Sequence, residues 1–217
     1  IDNDLSATDV AIGFATAVDV AVEALDRLQP TAASHNRIMV LEVMGRDAGH
    51  IALSAGIAGG ADVILVPERP FDVDEVCVRL RRRHGHGRSF SIVVASEGAM
   101  PKDGDYSTRG AKVDAFGHAR LGGIAAWLEE EIESRTGFET RQVVLGHVQR
   151  GGTPTAYDRV LATRYGTEAV DAVTRGESGV MIALRGTEVF TTPLQDALAE
   201  PELLDPELYE TAEVFFG

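Results

Sequence analysis

A short apolar run of strand length recurs along this chain, each time separated from the next by a segment with helical patterning. Residues 38–43 read IMVLEV, residues 61–66 ADVILV and residues 90–95 FSIVVA. None shows the strict apolar–polar alternation of a strand with one wet face, so each reads as a strand buried on both sides. Between them the period changes. Val18, Val22, Leu25 and Leu28 share one face of a helix over residues 13–28. Residues 50–58 are small and apolar and stop at Gly59-Gly60, a glycine helix end. Asp72-Val73-Asp74-Glu75 resembles a capping box and opens a helix running to Arg83. Further on, residues 121–136 and 156–174 read as helices, 141–145 and 180–184 as fourth and fifth strands, and the tail from Pro193 as short helices. Strand–helix alternation of this kind implies an α/β fold with a mainly parallel sheet and helices on both faces.

The 217 residues suit one large domain or one and a half. The polar loop at 98–112 is the candidate boundary between two lobes. A net charge of −14 argues against nucleic acid and anionic lipid as general partners, so an anionic small substrate needs a local cationic cluster. One cysteine, Cys77, rules out an internal disulfide framework and suits a reducing, cytoplasmic setting. No apolar run approaches the roughly 20 residues of a membrane span, and no signal peptide is recognisable. A GxxxxGK[ST] phosphate loop, a GxGxxG turn before a helix, and CxxC or HExxH metal signatures are all missing. The chain begins at Ile rather than Met, so a non-natural start is expected.

In open α/β sheets ligands bind beyond the carboxyl ends of the strands. Met44-Gly45-Arg46 follows the first strand, Ser96-Glu97-Gly98 the third, and Gly146-His147-Val148-Gln149-Arg150-Gly151-Gly152 the fourth. Arg, Glu, His and Arg thus recur at one topological position, each beside a glycine that admits a ligand to the backbone. An acidic segment, Ile1-Asp2-Asn3-Asp4, opens the chain. Arginines hold phosphate through two parallel hydrogen bonds, Glu accepts sugar hydroxyls, and a loop Asp takes a proton from an attacking hydroxyl. These residue types suit a phosphorylated polyol. Taken singly each has a plainer reading. An Arg after a strand is more often in a surface salt bridge. Asp2 and Asp4 suit turns or caps, and His50 and His118 suit structural roles. The Arg81-Arg82-Arg83-His84 run suits a solvated helix end, and Gly122-Gly123 suits helix packing rather than an anion nest.

The same segments resemble the phosphofructokinase family over essentially the whole chain. Ile1-Asp2-Asn3-Asp4-Leu5 resembles its TIDND loop, Glu42-Val43-Met44-Gly45-Arg46 its EVMGR segment, and residues 146–154 its GHxQRGGxP signature. Ser34-His35-Asn36-Arg37 and Tyr157-Asp158-Arg159 fit as well. The resemblance implies part of a phosphofructokinase-like three-layer sandwich, with residues 1–217 as its sugar-phosphate-binding portion. It implies phosphoryl transfer to the 1-hydroxyl of fructose 6-phosphate. Asp2 would be the base, Arg46 would steady the transferred group, and Asp4 would lie at Mg²⁺. Met44, Gly45, Arg46, Glu97, His147, Val148, Gln149 and Arg150 would line the sugar-phosphate site. Arg37 and Arg141 would reach it from a neighbouring subunit of a homo-oligomer, usually a tetramer. The family's glycine-rich donor loops precede the TIDND segment, so this chain is expected to be inactive alone. ATP is the expected donor, with pyrophosphate or a non-catalytic binding module as alternatives. Gln29 stands where regulated bacterial members carry a basic residue. Asp62, His86 and Arg88 complete only part of an effector pattern, so control by ADP or phosphoenolpyruvate is not implied.

Overall fold

A computed structural model describes residues 1–103 and 123–216. The first helix, α1 (Phe14–His35), continues past the expected end at Leu28 and carries Pro30 within it. It leads into β1 (Ile38–Val43), α2 (His50–Ala58), β2 (Val63–Leu65), α3 (Val73–Gly85) and β3 (Ser91–Ser96). Then come α4 (Ile124–Thr136), β4 (Thr140–Val144), a short 3-10 turn at Gly146–Arg150 and α5 (Ala156–Thr174). The chain ends in β5 (Val180–Arg185), β6 (Glu188–Pro193), α6 (Leu194–Ala197) and α7 (Pro206–Glu213).

Four strands form one parallel sheet in the order β2-β3-β1-β4. Every residue of β1, β2 and β3 is buried, as their unbroken apolar runs require. Alternate residues serve two cores. Met39, Leu41 and Val43 pack with Leu25 of α1, Ile51 and Leu53 of α2 and Tyr209 of α7. Ile38 and Val40 pack with Val76 and Leu80 of α3 and Leu128 and Ile132 of α4. The sheet is therefore covered on both faces, as expected. β4 is an edge strand and half-exposed.

The fifth strand does not join that sheet. β5 pairs antiparallel with β6, a strand the sequence reading missed, and the two form a separate hairpin beside α5. Its turn is Gly186-Thr187, and Gly186 has φ 58°, a left-handed value that glycine adopts freely in a two-residue hairpin loop.

The Arg81–His84 run closes α3 as expected, with Arg81 and Arg82 exposed, and it is also tied down. Arg83 pairs with Asp62 at 3.0 Å, Arg81 donates to the Arg135 carbonyl at 2.8 Å, and His84 stacks on Phe138. Asp62 also accepts the Ile92 N–H at 2.8 Å, so it is tied into the fold rather than presented to an effector. Most of the candidate lobe boundary at 98–112, together with His118 and Gly122, lies outside the described residues. No helix among the described residues is long and apolar enough to cross a membrane.

Candidate active site

Parallel registration brings the carboxyl ends of three adjacent strands to one level. Val43 of β1 lies opposite Ser96 of β3, and Glu42 of β1 opposite Val144 of β4. The residues that follow, Met44-Gly45-Arg46, Glu97-Gly98 and Gly146–Arg150, therefore emerge side by side. The strand order reverses about β1, the position where such sheets open a crevice.

Backbone contact holds the first two segments together. Gly45 has φ 137°, and its carbonyl accepts the Gly98 N–H at 3.1 Å and the Ser96 hydroxyl. Its N–H points at Glu97 Oε1, 3.4 Å away. A Cβ on Gly45 would lie 2.7 Å from both the Ala48 carbonyl oxygen and Ser96 Oγ, so the crossing needs glycine.

Gln149 differs from the expectation that it lines the substrate site. It is 1% exposed; its Oε1 accepts the Met44 N–H at 2.8 Å, and its Nε2 donates to the Ala17 carbonyl at 3.3 Å. It braces the 44–46 segment against α1. Its neighbours in the 3-10 turn face the other way: His147, Val148 and Arg150 are exposed.

Asp2 enters the crevice from the loop preceding α1. Asn3, held left-handed at φ 61°, anchors that loop: its side chain accepts the Ala11 N–H at 2.7 Å and donates to the Asp9 carbonyl at 3.3 Å. Asp2 Oδ1 is buried and has no hydrogen-bond partner among the described residues. A buried carboxylate oxygen without a donor is costly and marks a position that awaits one. Glu97 feels Asp2 directly. Burial pushes the Glu97 carboxyl above the usual range, Glu42 and Asp2 add to the rise, and the Gly45 N–H and Arg46 oppose it. Asp2, Arg46 and Glu97 thus share one electrostatic neighbourhood.

Two acidic residues to which the sequence reading gave no role shape the surroundings. Glu42, 2% exposed, accepts the N–H groups of Gly123 at 3.2 Å and Ala125 at 2.9 Å. The start of α4 is therefore an anion contact, though filled by the protein's own carboxylate. Asp158 accepts the Gly13 and Thr16 N–H groups at 2.8 Å and the Thr16 hydroxyl, capping α1 from α5. Burial works against its charge. The Thr16 hydroxyl and the N–H groups outweigh that and hold its carboxyl below the ordinary aspartate value.

Arg37 and Arg141 lie at the opposite end of the sheet. Arg37 precedes β1, and Arg141 is opposite Met39 near the start of β4. At about 3.3 Å per residue, β1 separates Arg37 from the crevice end by roughly 20 Å and Arg141 by roughly 15 Å. There they form a cluster of ion pairs, Arg37 with Glu139 at 2.8 Å and Arg141 with Glu139 and Glu133 at 2.6 and 3.4 Å. They are not part of the crevice of their own chain.

Among the described residues no group of three or more His, Cys, Asp or Glu is arranged to hold a metal ion. Mg²⁺ ordinarily keeps its waters and takes one or two carboxylates plus substrate phosphates. Asp2 and Asp4 stand two residues apart on one loop, and Asp2 Oδ1 has no hydrogen-bond partner among the described residues.

The family model described as phosphofructokinase matches residues 1–173. The chain is 59% identical, over its whole length and 63% of the relative's, to a pyrophosphate–fructose 6-phosphate 1-phosphotransferase of Amycolatopsis methanolica. It is 52% identical, with the same coverage, to an ATP-dependent 6-phosphofructokinase of Mycobacterium leprae. Among solved structures, the phosphofructokinase of Saccharomyces cerevisiae superposes on 99% of this chain and 26% of its own, at 36% identity and a TM-score of 0.78. The chain thus spans about 63% of the length of these curated relatives. A matched family model over most of the sequence, relatives above half identity and the shared fold lead to one conclusion: the chain belongs to the phosphofructokinase family.

Proposed function

We propose that the protein phosphorylates the 1-hydroxyl of fructose 6-phosphate, giving fructose 1,6-bisphosphate, the glycolytic step that suits a cytoplasmic protein. The observation that carries this reading is Asp2 Oδ1, buried, without a partner among the described residues, and close enough to Glu97 to shift its charge balance. In this reading Asp2 takes the proton from the attacking hydroxyl. Arg46 faces the charge that develops on the transferred group, where electrostatic stabilisation contributes most. Glu97 and the Met44–Gly45 backbone orient the sugar, and His147 and Arg150 meet its phosphate. Val148, exposed beside them, borders the site. Asp4 would hold Mg²⁺, which supplies neutralising charge to the donor phosphates when bound.

Arg37 and Arg141, roughly 20 and 15 Å from this crevice, serve the site of an adjacent subunit. The active enzyme is then a homo-oligomer, a tetramer in this reading. A purely binding module would have use for Glu97 and Arg150 but not for a base beside Arg46.

Two donors compete. ATP is the expectation from sequence, and relatives named for ATP stand at 52–54% identity. Relatives named for pyrophosphate stand at 56–59%, which supports pyrophosphate as the second reading. Steady-state assays of the full-length protein with each donor test both. Activity with pyrophosphate alone would overturn the ATP reading. Asp2→Ser should lower kcat by about 10²–10⁴-fold while sparing substrate affinity. A rate close to wild type would sink the base assignment.

A further inference from the structure

The base and the charge-stabilising arginine come from segments far apart in sequence, the Asp2–Asp4 loop and the Arg46–Gly49 turn. Their relative position has to be held to about 0.5 Å for chemistry to proceed. The tail supplies the ties. The Glu202 N–H donates to the Asp4 carbonyl at 2.8 Å, and Pro201 forms a bridge with Leu5. The Glu202 carbonyl lies 2.9 Å from His50 Nε2. A carbonyl can only accept, so that nitrogen carries the hydrogen. His50 is the first residue of α2 and directly follows the Arg46–Gly49 turn. One residue later but one, the Leu204 N–H donates to Glu68 Oε1 at 3.3 Å, and the same carboxylate accepts the Gly49 N–H at 3.0 Å.

Pro201, Glu202 and Leu203 are exposed, and only Leu204 packs against a core, at its margin. Its hydrogen bonds join two loops that have no other described backbone bond to each other. It also lies beyond residue 173, where the match to the family model ends. We infer that the Pro201–Leu204 segment, through His50 and Glu68, is a positioning element that sets the Asp2 loop against the Arg46 turn. This rests on the proposed phosphoryl transfer, because its effect is read through Asp2 and Arg46.

The test uses the full-length enzyme and measures kcat and KM for fructose 6-phosphate together with the urea midpoint. His50→Phe keeps the ring and deletes the donor to Glu202; His50→Gln keeps a donor. Misplacing the loops should lower kcat in His50→Phe by about 10- to 100-fold, with KM within about twofold and the midpoint unchanged. His50→Gln should recover most of the rate. In an Asp2→Ser background His50→Phe should cost almost nothing further, because residues acting as a unit are not additive. Glu202→Pro, which deletes the N–H to Asp4 at an exposed site, is judged by the same criteria should His50→Phe fail to fold. Wild-type kcat in these variants, or a loss that adds fully to that of Asp2→Ser, overturns the positioning role and leaves the proposed function standing. A wild-type protein that transfers nothing to fructose 6-phosphate removes both.

Discussion

Gly98→Ala is the smallest change that should disable the site without touching a functional side chain. A Cβ on Gly98 would lie 1.8 Å from the Arg46 carbonyl oxygen, 2.8 Å from its carbon and 3.0 Å from the Gly45 oxygen. All three are backbone atoms, so no side chain can swing away. The Arg46 turn has to retreat by roughly 1 Å, and the Gly98-to-Gly45 hydrogen bond stretches with it. Overpacking of this kind costs about 1–3 kcal/mol of stability. A shift of that size in the residue facing the transferred group should cost about 100-fold in kcat/KM. Gly85→Ala is the control. Gly85 closes α3, nothing lies within 4 Å of its Cβ position, and its φ is not left-handed. There alanine should be neutral or stabilising by up to about 1 kcal/mol. Urea titration and initial-rate kinetics on both variants decide the matter. If Gly98→Ala keeps both the midpoint and kcat/KM of the wild type, the close crossing of the two strand ends is not what holds Arg46.

Two further substitutions exploit the carboxyls whose affinities the fold has moved. Glu97 titrates above its ordinary value of 4.5, mainly through burial, so folding favours its protonated form. That contribution is complete below the unfolded value and disappears as pH rises through the raised one, leaving a cost at neutral pH. Glu97→Gln should therefore be more stable than wild type near neutrality, by about 0.5–2 kcal/mol, with no gain at acid pH, while binding fructose 6-phosphate more weakly. Thermal melts across pH and a binding titration check both; an unchanged midpoint at neutral pH refutes the buried-charge reading. Asp158 moves the other way, below its ordinary value of 3.8. Its stabilisation is present above that value and is lost as pH falls through the depressed one. Asp158→Ala should cost roughly 2–4 kcal/mol near neutrality, since the Gly13 and Thr16 N–H groups lose their acceptor. The gap from wild type should close in strong acid, and a constant gap across pH would place the cost in packing instead.

What could be read from the sequence was whatever depends on neighbours along the chain. The bounds of β1 and α2 agree with the IMVLEV run and the Gly59-Gly60 stop, because burial on both faces and a glycine terminus are local signals. That the segments carrying Arg46, Glu97 and His147 leave the sheet at one end was legible too. Parallel strands share a direction, so whatever follows them arrives at one end. The partners of Glu42, Asp158 and Glu202 were not legible, since they lie 81 to 198 residues away and no periodicity announces them. Gln149 sits in a run of polar residues, and only the path of the 3-10 turn decides which of them turns inward.

The proposed sharing of sites between subunits is the instructive intermediate case. Arg37 and Arg46 flank a single six-residue strand, one before it and one after. An extended strand cannot bend its ends together, so roughly 20 Å separates the two arginines in any fold that keeps β1. If both contact fructose 6-phosphate, they do so in different sites, and a second subunit follows from strand length alone. In the monomer Arg37 and Arg141 answer to Glu139 and Glu133. Assembly then requires those ion pairs to open or to share their arginines with a phosphate. Exposed pairs of this kind are worth about 0–1 kcal/mol each, so a doubly charged ligand can displace them at small cost.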